Sequence, residues 1–276
     1  MRRGVDLHLH SDASDGLLTP DALCERAARC DLEVVALTDH DTVAGLPAAL
    51  EAATRCGLRL VPAIELTCRV RAGAHGTVHV LGYGIDPDAA ALARAAAYNR
   101  AGKRAQVGAI VEQLGAREGV VLDPEAVWGG RPEGGYVGRH HVAAALVRRG
   151  AVRSRLRAFR RYLRSDRVPP VEVVDAADGL AAIHQAGGLA VLAHPTRADL
   201  RHHLRPLLRL GLNGLEVYRP RATPALRERL LELAAGEDLW VTGGSDWHGH
   251  HPEPPLGSWR PPAEALGRIV ERLAPG

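Results

Sequence analysis

Phenylalanine and lysine occur once each, as Phe159 and Lys103. The core must therefore be built from Leu, Val, Ala and Ile, and nearly all positive charge is arginine, a bias we ascribe to base composition. The formal net charge is only +3, without the bulk basicity of a dedicated duplex binder. There is also no recognition-helix motif, so sequence-specific DNA binding is not expected. The four cysteines, Cys24, Cys30, Cys56 and Cys68, form no C-x-x-C pair, and apolar packing is the ordinary use of such residues. No apolar run is long enough to span a bilayer, and Met1-Arg2-Arg3 leads straight into a strand with no secretory leader. These absences predict a soluble, cytoplasmic protein with no membrane partner.

Short apolar strands alternate with amphipathic helices. Strands are expected at 5–8, 34–37, 58–66 and 77–83, then at 189–193, 214–218 and 239–242. Thr19-Pro20 supplies an N-cap followed by proline at the first helical position, opening a helix to about Cys30. A second helix is expected from Thr42 to near Gly57, and others over 176–186 and 224–235. Repeated βα units imply a mostly parallel sheet, closed or nearly so. Between 89 and 168 the rhythm stops. That Ala- and Arg-rich stretch has helical periodicity at 93–114, 141–149 and 153–163, with a glycine-rich loop at 129–135. The predicted organisation is a barrel from 1–88 and 169–276, with a helical insertion at 89–168 acting as a substrate cap, because the βα loops of barrels carry function.

Histidine and carboxylate collect at the expected strand ends. His8 and His10 are two apart, so both rings leave one face of a strand, while Leu7 and Leu9 alternate towards the apolar side. Asp15 follows in a Ser-Asp-Gly turn. Asp39-His40-Asp41 ends the second strand, with His40 a natural ligand and Asp39 able to orient a neighbouring ring. Glu65 lies in an otherwise apolar strand, where a carboxylate is costly to desolvate unless it is paired or binds metal. It is a good bridging candidate. His79, His194 before Pro195, and the pair Asp246 and His248 complete nine ligands, a set suited to three ions sharing a carboxylate. His75, His184, His202, His203, His250 and His251 are read as surface or packing residues.

His-Leu-His-Ser with Ser-Asp-Gly, Leu-Thr-Asp-His-Asp-Thr, Glu65, His79 before Gly-Tyr-Gly, Ala-His-Pro and Ser-Asp-Trp-His together resemble the polymerase and histidinol phosphatase (PHP) superfamily of metallophosphoesterases. The likeness covers essentially the whole chain. It is closest to the branch acting on nucleoside 3′,5′-bisphosphates and short RNA 5′ ends. The resemblance implies an α/β fold, a distorted (β/α)7 barrel with a helical insertion, and a centre of three divalent ions, usually manganese, with iron or zinc as alternatives. Carried over by position, one ion takes His8, His10, Glu65 and Asp246. A second shares Glu65 and adds His79 and His194, and a third takes Asp15, His40 and His248. The resemblance also places a phosphate binder at Arg197. Arg139 and His141, in Gly-Arg-His-His, resemble the family's Ser-Arg-Thr-His segment, with glycine and an extra histidine as departures. Arg100, Lys103 and Arg104 are further candidate substrate contacts, or else a solvated helix face.

The expected chemistry is hydrolysis of a nucleotide phosphate monoester, with possible stepwise action on short RNA from the 5′ end. A hydroxide bridging the ions attacks phosphorus, with Asp15, His40, Glu65 and His248 carrying the catalytic ligation. The partner is thus a small phosphorylated substrate, a nucleotide or a short RNA end. Histidinol-phosphate phosphatase and a non-catalytic metal-stabilised module stand as alternatives.

Overall fold

The computed structural model describes residues 4–71, 76–130, 135–250 and 253–273. The expected 129–135 loop lies partly outside the described residues, and His75 and His251 wholly so. The chain forms two compact units, Met1–Ala96 with Val174–Gly276, and Ala97–Val173. The first begins with β1 (Gly4–Leu9), α1 (Pro20–Arg29), β2 (Leu32–Leu37), α2 (Leu46–Cys56), β3 (Arg59–Val70) and β4 (Gly76–Tyr83). Next, α3 (Ala90–Glu118) runs on into the second unit, which adds α4 (Pro124–Trp128), α5 (Arg139–Arg148) and α6 (Arg155–Arg161). The first unit resumes with α7 (Ala176–Gln185), β5 (Leu189–Leu192), α8 (Arg197–His202), α9 (Leu204–Arg209) and β6 (Gly214–Tyr218). It ends with α10 (Pro224–Gly236), β7 (Trp240–Gly243) and α11 (Ala263–Leu273). No helix among the described residues is long and apolar enough to cross a membrane.

The fold is α/β. Its seven-stranded sheet runs in sequence order from β1 to β7. Pairs β1–β2, β2–β3, β5–β6 and β6–β7 are parallel, whereas β4 is antiparallel to both its neighbours. Beyond β7 the chain comes back to β1, where the His10 amide donates to the Trp247 carbonyl at 3.1 Å and the Asp246 amide to His8 at 3.0 Å. The second unit has an apolar cluster of its own, with Val107, Ile110, Val142, Leu146 and Leu163 buried.

Local chemistry explains most element boundaries. Thr19 accepts the Ala22 amide at 3.3 Å and Pro20 opens α1, as expected. The helix expected from Thr42 starts only at Leu46, with proline in its first positions. The delay comes from Asp41, which is left-handed (φ 49) and whose amide is bonded to the Glu65 carbonyl. β3 runs past Leu66 to Val70 because β4 pairs with it over eight residues. The helices α4, α8, α9 and α11 were not anticipated.

The sheet has two apolar faces. One carries Val5, Leu7, Val34, Ala36, Val61, Ala63, Leu81 and Tyr83, with α11 packed against it. The other carries Leu9, Val35, Leu37, Ile64 and Leu66 beneath α1, α2 and α7. The expectation that Leu7 and Leu9 share a face is therefore wrong, because the β1–β2 register shifts between Asp6 and Leu9. A bulge of this kind re-aims side chains. Here it lets His8 join the face of Leu7, which is also the face of Ala63 and Glu65.

Close approach is needed where the chain passes β1. A Cβ on Gly244 would lie 2.3 Å from the Cβ of His8 and 2.4 Å from its amide nitrogen. Gly244→Ala should therefore destabilise the protein by about 1–3 kcal/mol, the usual range for overpacking. Urea unfolding measures this, and a variant as stable as the parent would refute the close approach.

Candidate metal centre

Five imidazoles surround one carboxylate. Glu65 is fully buried, and its oxygens lie 3.2 Å from His8, 3.2 Å from His10, 3.1 Å from His40, 3.0 Å from His79 and 2.9 Å from His194. Asp246 adds an oxygen 3.4 Å from His8 and 3.3 Å from His10. Asp15 lies 3.4 Å from His248 and 3.9 Å from His40. All nine expected ligands thus converge in the first unit.

The donor set fits cations better than it fits itself. His10 aims Nε2 at two carboxylate oxygens within 3.3 Å, yet it makes no well-formed hydrogen bond with either. His79 Nδ1 and His194 Nε2 sit 3.2 Å apart, both beside Glu65. Three groups hold ligand atoms all within 4.8 Å of one another: His8, His10, Glu65 and Asp246; His10, Asp15, His40 and His248; and His40, Glu65 and His79. His10 and His40 each belong to two groups, whereas the resemblance gave each histidine a single ion. The cluster is able to bind metal ions.

Charge and burial pull these groups apart. Burial opposes ionisation of Glu65, but His40, His8 and His79 outweigh it and hold its carboxyl well below the usual range. Burial pushes His40 well below the ordinary imidazole value, assisted by His10 and His79. His8 goes the other way, because Glu216, Glu65 and Asp246 overcome the cost of burial. His248 is likewise lifted to about 10, burial being outweighed chiefly by Asp15.

A second ring of carboxylates ties these ligands to the backbone. Asp39 accepts the Ser11 amide at 2.8 Å and the hydroxyls of Ser11 and Ser14, each at 2.6 Å, so it fixes the turn that carries Asp15. Asp41 accepts the Thr67 amide and hydroxyl at 2.8 and 2.9 Å, joining the His40 loop to β3. Asp6 accepts the Ser245 amide at 2.8 Å, and burial raises its own pKa to about 6. Two members went unnoticed in the sequence. Glu216, fully buried on β6, lies 2.8 Å from His8 Nδ1 and accepts the His194 amide at 2.7 Å. Glu253 accepts the amides of His248 and Gly249 at 2.9 and 2.8 Å. Glu216 sits in Gly-Leu-Glu-Val-Tyr, the same signal of a charge inside an apolar strand that marked Glu65.

Backbone strain gathers here too. Asp41, His194 and Asp246 all adopt positive φ, at 49°, 33° and 54°. Such conformations persist only where the surroundings over-determine them. His250, read as a surface or packing residue, reaches the Asp15 carbonyl at 2.7 Å.

The expected substrate contacts are divided between the two units. Arg197 opens α8 and lines a flank cavity of about 370 Å³. The others lie on the second unit or on α3. Arg139 donates to the Leu163 carbonyl at 3.3 Å and the Ser165 hydroxyl at 3.4 Å. His141 Nδ1 accepts the Gly138 amide at 3.1 Å, serving as a cap of α5. Lys103 lies over the Tyr136 ring at 5.2 Å and Arg104 over Trp128 at 4.3 Å. Arg100 is half-buried on α3.

The PHP domain profile matches residues 6–107. The chain is 37% identical to a 3′,5′-nucleoside bisphosphate phosphatase of Chromobacterium violaceum, over 88% of this chain and 87% of the relative. It is 35% identical to a phosphoribosyl 1,2-cyclic phosphate 1,2-diphosphodiesterase of Eggerthella lenta, over 94% and 99%. It is 34% identical to the 5′-3′ exoribonuclease Rnm of Salmonella typhimurium, over 88% and 84%. A Bifidobacterium adolescentis structure, described there as a proposed metal-dependent phosphoesterase, superposes with a TM-score of 0.86 at 32% identity, covering 99% and 97% of the two chains. The chain belongs to the PHP family. It is a metal-dependent phosphoesterase.

Two outcomes follow from this geometry. Glu216→Gln leaves one acceptor for two donors, so metal affinity should fall about 10–100-fold, the usual effect of losing a ligand's outer partner. Calorimetric metal titration tests this, and unchanged affinity would mean that Glu216 does not orient His8. Second, His248 carries a proton at neutral pH when no metal is bound, because its folded pKa is raised to about 10. Binding must expel that proton, so affinity should rise with pH below that value, by roughly tenfold per unit for each proton displaced. Manganese titrations at neutral pH in buffers of differing ionisation enthalpy should show at least one proton released, and zero release would contradict the assignment.

Proposed function

We propose that this chain removes a phosphate from a nucleotide, a nucleoside 3′,5′-bisphosphate or a close analogue, and also trims short RNA from its 5′ end. Three divalent ions, manganese by preference, would be held by His8, His10, Glu65 and Asp246; by Glu65, His79 and His194; and by Asp15, His40 and His248. The observation that carries this reading is the single buried carboxylate of Glu65 within 3.2 Å of five imidazoles.

When bound, such ions supply a nucleophile by acidifying water and neutralise charge developing on the phosphoryl oxygens. The protein's part is to hold the donors in place. Glu65 stays ionised because its histidine neighbours favour the anion. Burial disfavours a charge on His40. Glu216 holds the His8 ring through Nδ1, leaving Nε2 directed at Glu65. A serine nucleophile does not suit this site, since the buried hydroxyls of Ser11 and Ser14 both donate to Asp39. Direct attack by water is the better account.

One observation favours a second reading, hydrolysis of a ribose 1,2-cyclic phosphate. The Eggerthella lenta diesterase matches over almost the full length of both chains. Histidinol phosphate has the same centre to draw on but no such support.

Phosphate release from a nucleoside 3′,5′-bisphosphate, a 5′-phosphorylated oligoribonucleotide and histidinol phosphate should rank in favour of the first two. Loss of a ribose 1,2-cyclic phosphate substrate is followed in parallel by chromatography. Preferential use of the cyclic substrate or of histidinol phosphate would replace the leading reading. In the same preparation Asp246→Ala should lose metal by elemental analysis and nearly all turnover. Full activity with unchanged metal content would remove Asp246 from the centre.

A further inference from the structure

We propose that the flank of the barrel between α8–α9 and α10 is a binding groove for single-stranded RNA, taking the phosphodiester segment 3′ of the end held at the metal centre. This inference rests on the nucleotide reading above and adds the substrate's length to it. The cavity there, about 370 Å³, is lined by Arg197, Arg201, Arg205 and Arg229 around a floor that includes Leu200 and Leu226, with Glu237 the one carboxylate in the lining.

Three features give the groove direction and chemistry. Arg197 and Arg201 are four residues apart on α8, about one turn, and Arg205 follows on α9 across the break at His203. The row begins three residues after His194, whose Nε2 is 2.9 Å from Glu65. It therefore begins close in the chain to a ligand of the centre. Finally, Arg197, Arg201 and Arg205 are exposed and have no ion-pair partner among the described residues. Arg229 has only an exposed pair with Glu232 at 2.9 Å, and such pairs contribute little.

Guanidinium forks match phosphate oxygens and also stack on base faces, while an apolar floor suits ribose and base. A mononucleotide bound at the imidazoles has no group left to reach Arg201 or Arg205. A strand of several nucleotides does.

The test compares wild type with the triple variant Arg201→Ala, Arg205→Ala and Arg229→Ala. Binding of a labelled, phosphorothioate-protected oligoribonucleotide of about ten nucleotides, within the usual single-strand site size, is read by anisotropy across a salt series. Each phosphate contact on single strands contributes about 0.7 to the slope of log affinity against log salt, so the slope should fall by roughly 2. Hydrolysis of the nucleoside bisphosphate should be unchanged, and the matching Arg→Lys triple should keep the slope. An unaltered slope, or equal loss on bisphosphate and oligomer, overturns the groove. If wild-type protein hydrolyses no nucleotide at all, the parent reading fails, and the binding slope still judges the groove separately.

Discussion

The structure turns on a carboxylate that cannot be left alone. Glu65 has no exposure to water, and an ionised carboxylate in that position costs several kcal/mol unless cations compensate it. Imidazoles surround it, but they cannot all be protonated at once. His8 is driven towards the charged form and His40 away from it, with His10 and His79 adding to the cost of a charge on His40. The metal-free centre is thus a compromise among protons that suits none of its members. A bound metal ion would resolve it by supplying positive charge beside Glu65 without a proton on the imidazoles. Folding and metal binding are coupled in such a case, since the site exists only when distant strands have met.

The rest of the first unit serves that meeting. The bulge in β1 sends His8 inward and Leu9 outward. The reversal of β4 brings His79 opposite Thr67, two residues from Glu65 on β3. Left-handed residues aim the loops after β2, β5 and β7. The outer carboxylates Asp6, Asp39, Asp41, Glu216 and Glu253 then hold amides and ring nitrogens in place. The arrangement is layered: ions need ligands, ligands need buried acceptors, and those acceptors need backbone donors from strands remote in sequence. Glu216 does this for two ligands at once, linking β1 and β5 through β6.

Local rules read much of this directly from the sequence. The Thr19-Pro20 helix start, the seven strands and the nine converging ligands all follow from periodicity, capping and the cost of a charge in an apolar run. What escaped was set by tertiary pairing. Nothing in Val5-Asp6-Leu7-His8-Leu9 announces that its alternation breaks, because the bulge answers the register of β2. The length of β3 depends on β4 lying beside it, and the late start of α2 depends on the bond from Asp41 to Glu65. Glu216 was visible by the reasoning applied to Glu65, as a charge inside an apolar strand. Arg197, where the resemblance places a phosphate binder, opens α8 and lines the flank cavity.

Relatives of this chain carry the names of a bisphosphate phosphatase, a cyclic phosphodiesterase and an exoribonuclease. Their common element is a phosphate ester, and a centre built on His, Asp and Glu responds to phosphorus and its oxygens rather than to what the oxygens are attached to. Such a centre cannot by itself tell a mononucleotide from the end of a strand. Discrimination has to come from groups at a distance, where a longer substrate continues and a shorter one stops. Arginines exposed on the outside of the barrel, such as those lining the flank cavity, are the kind of element that separates those substrates without altering the chemistry at Glu65.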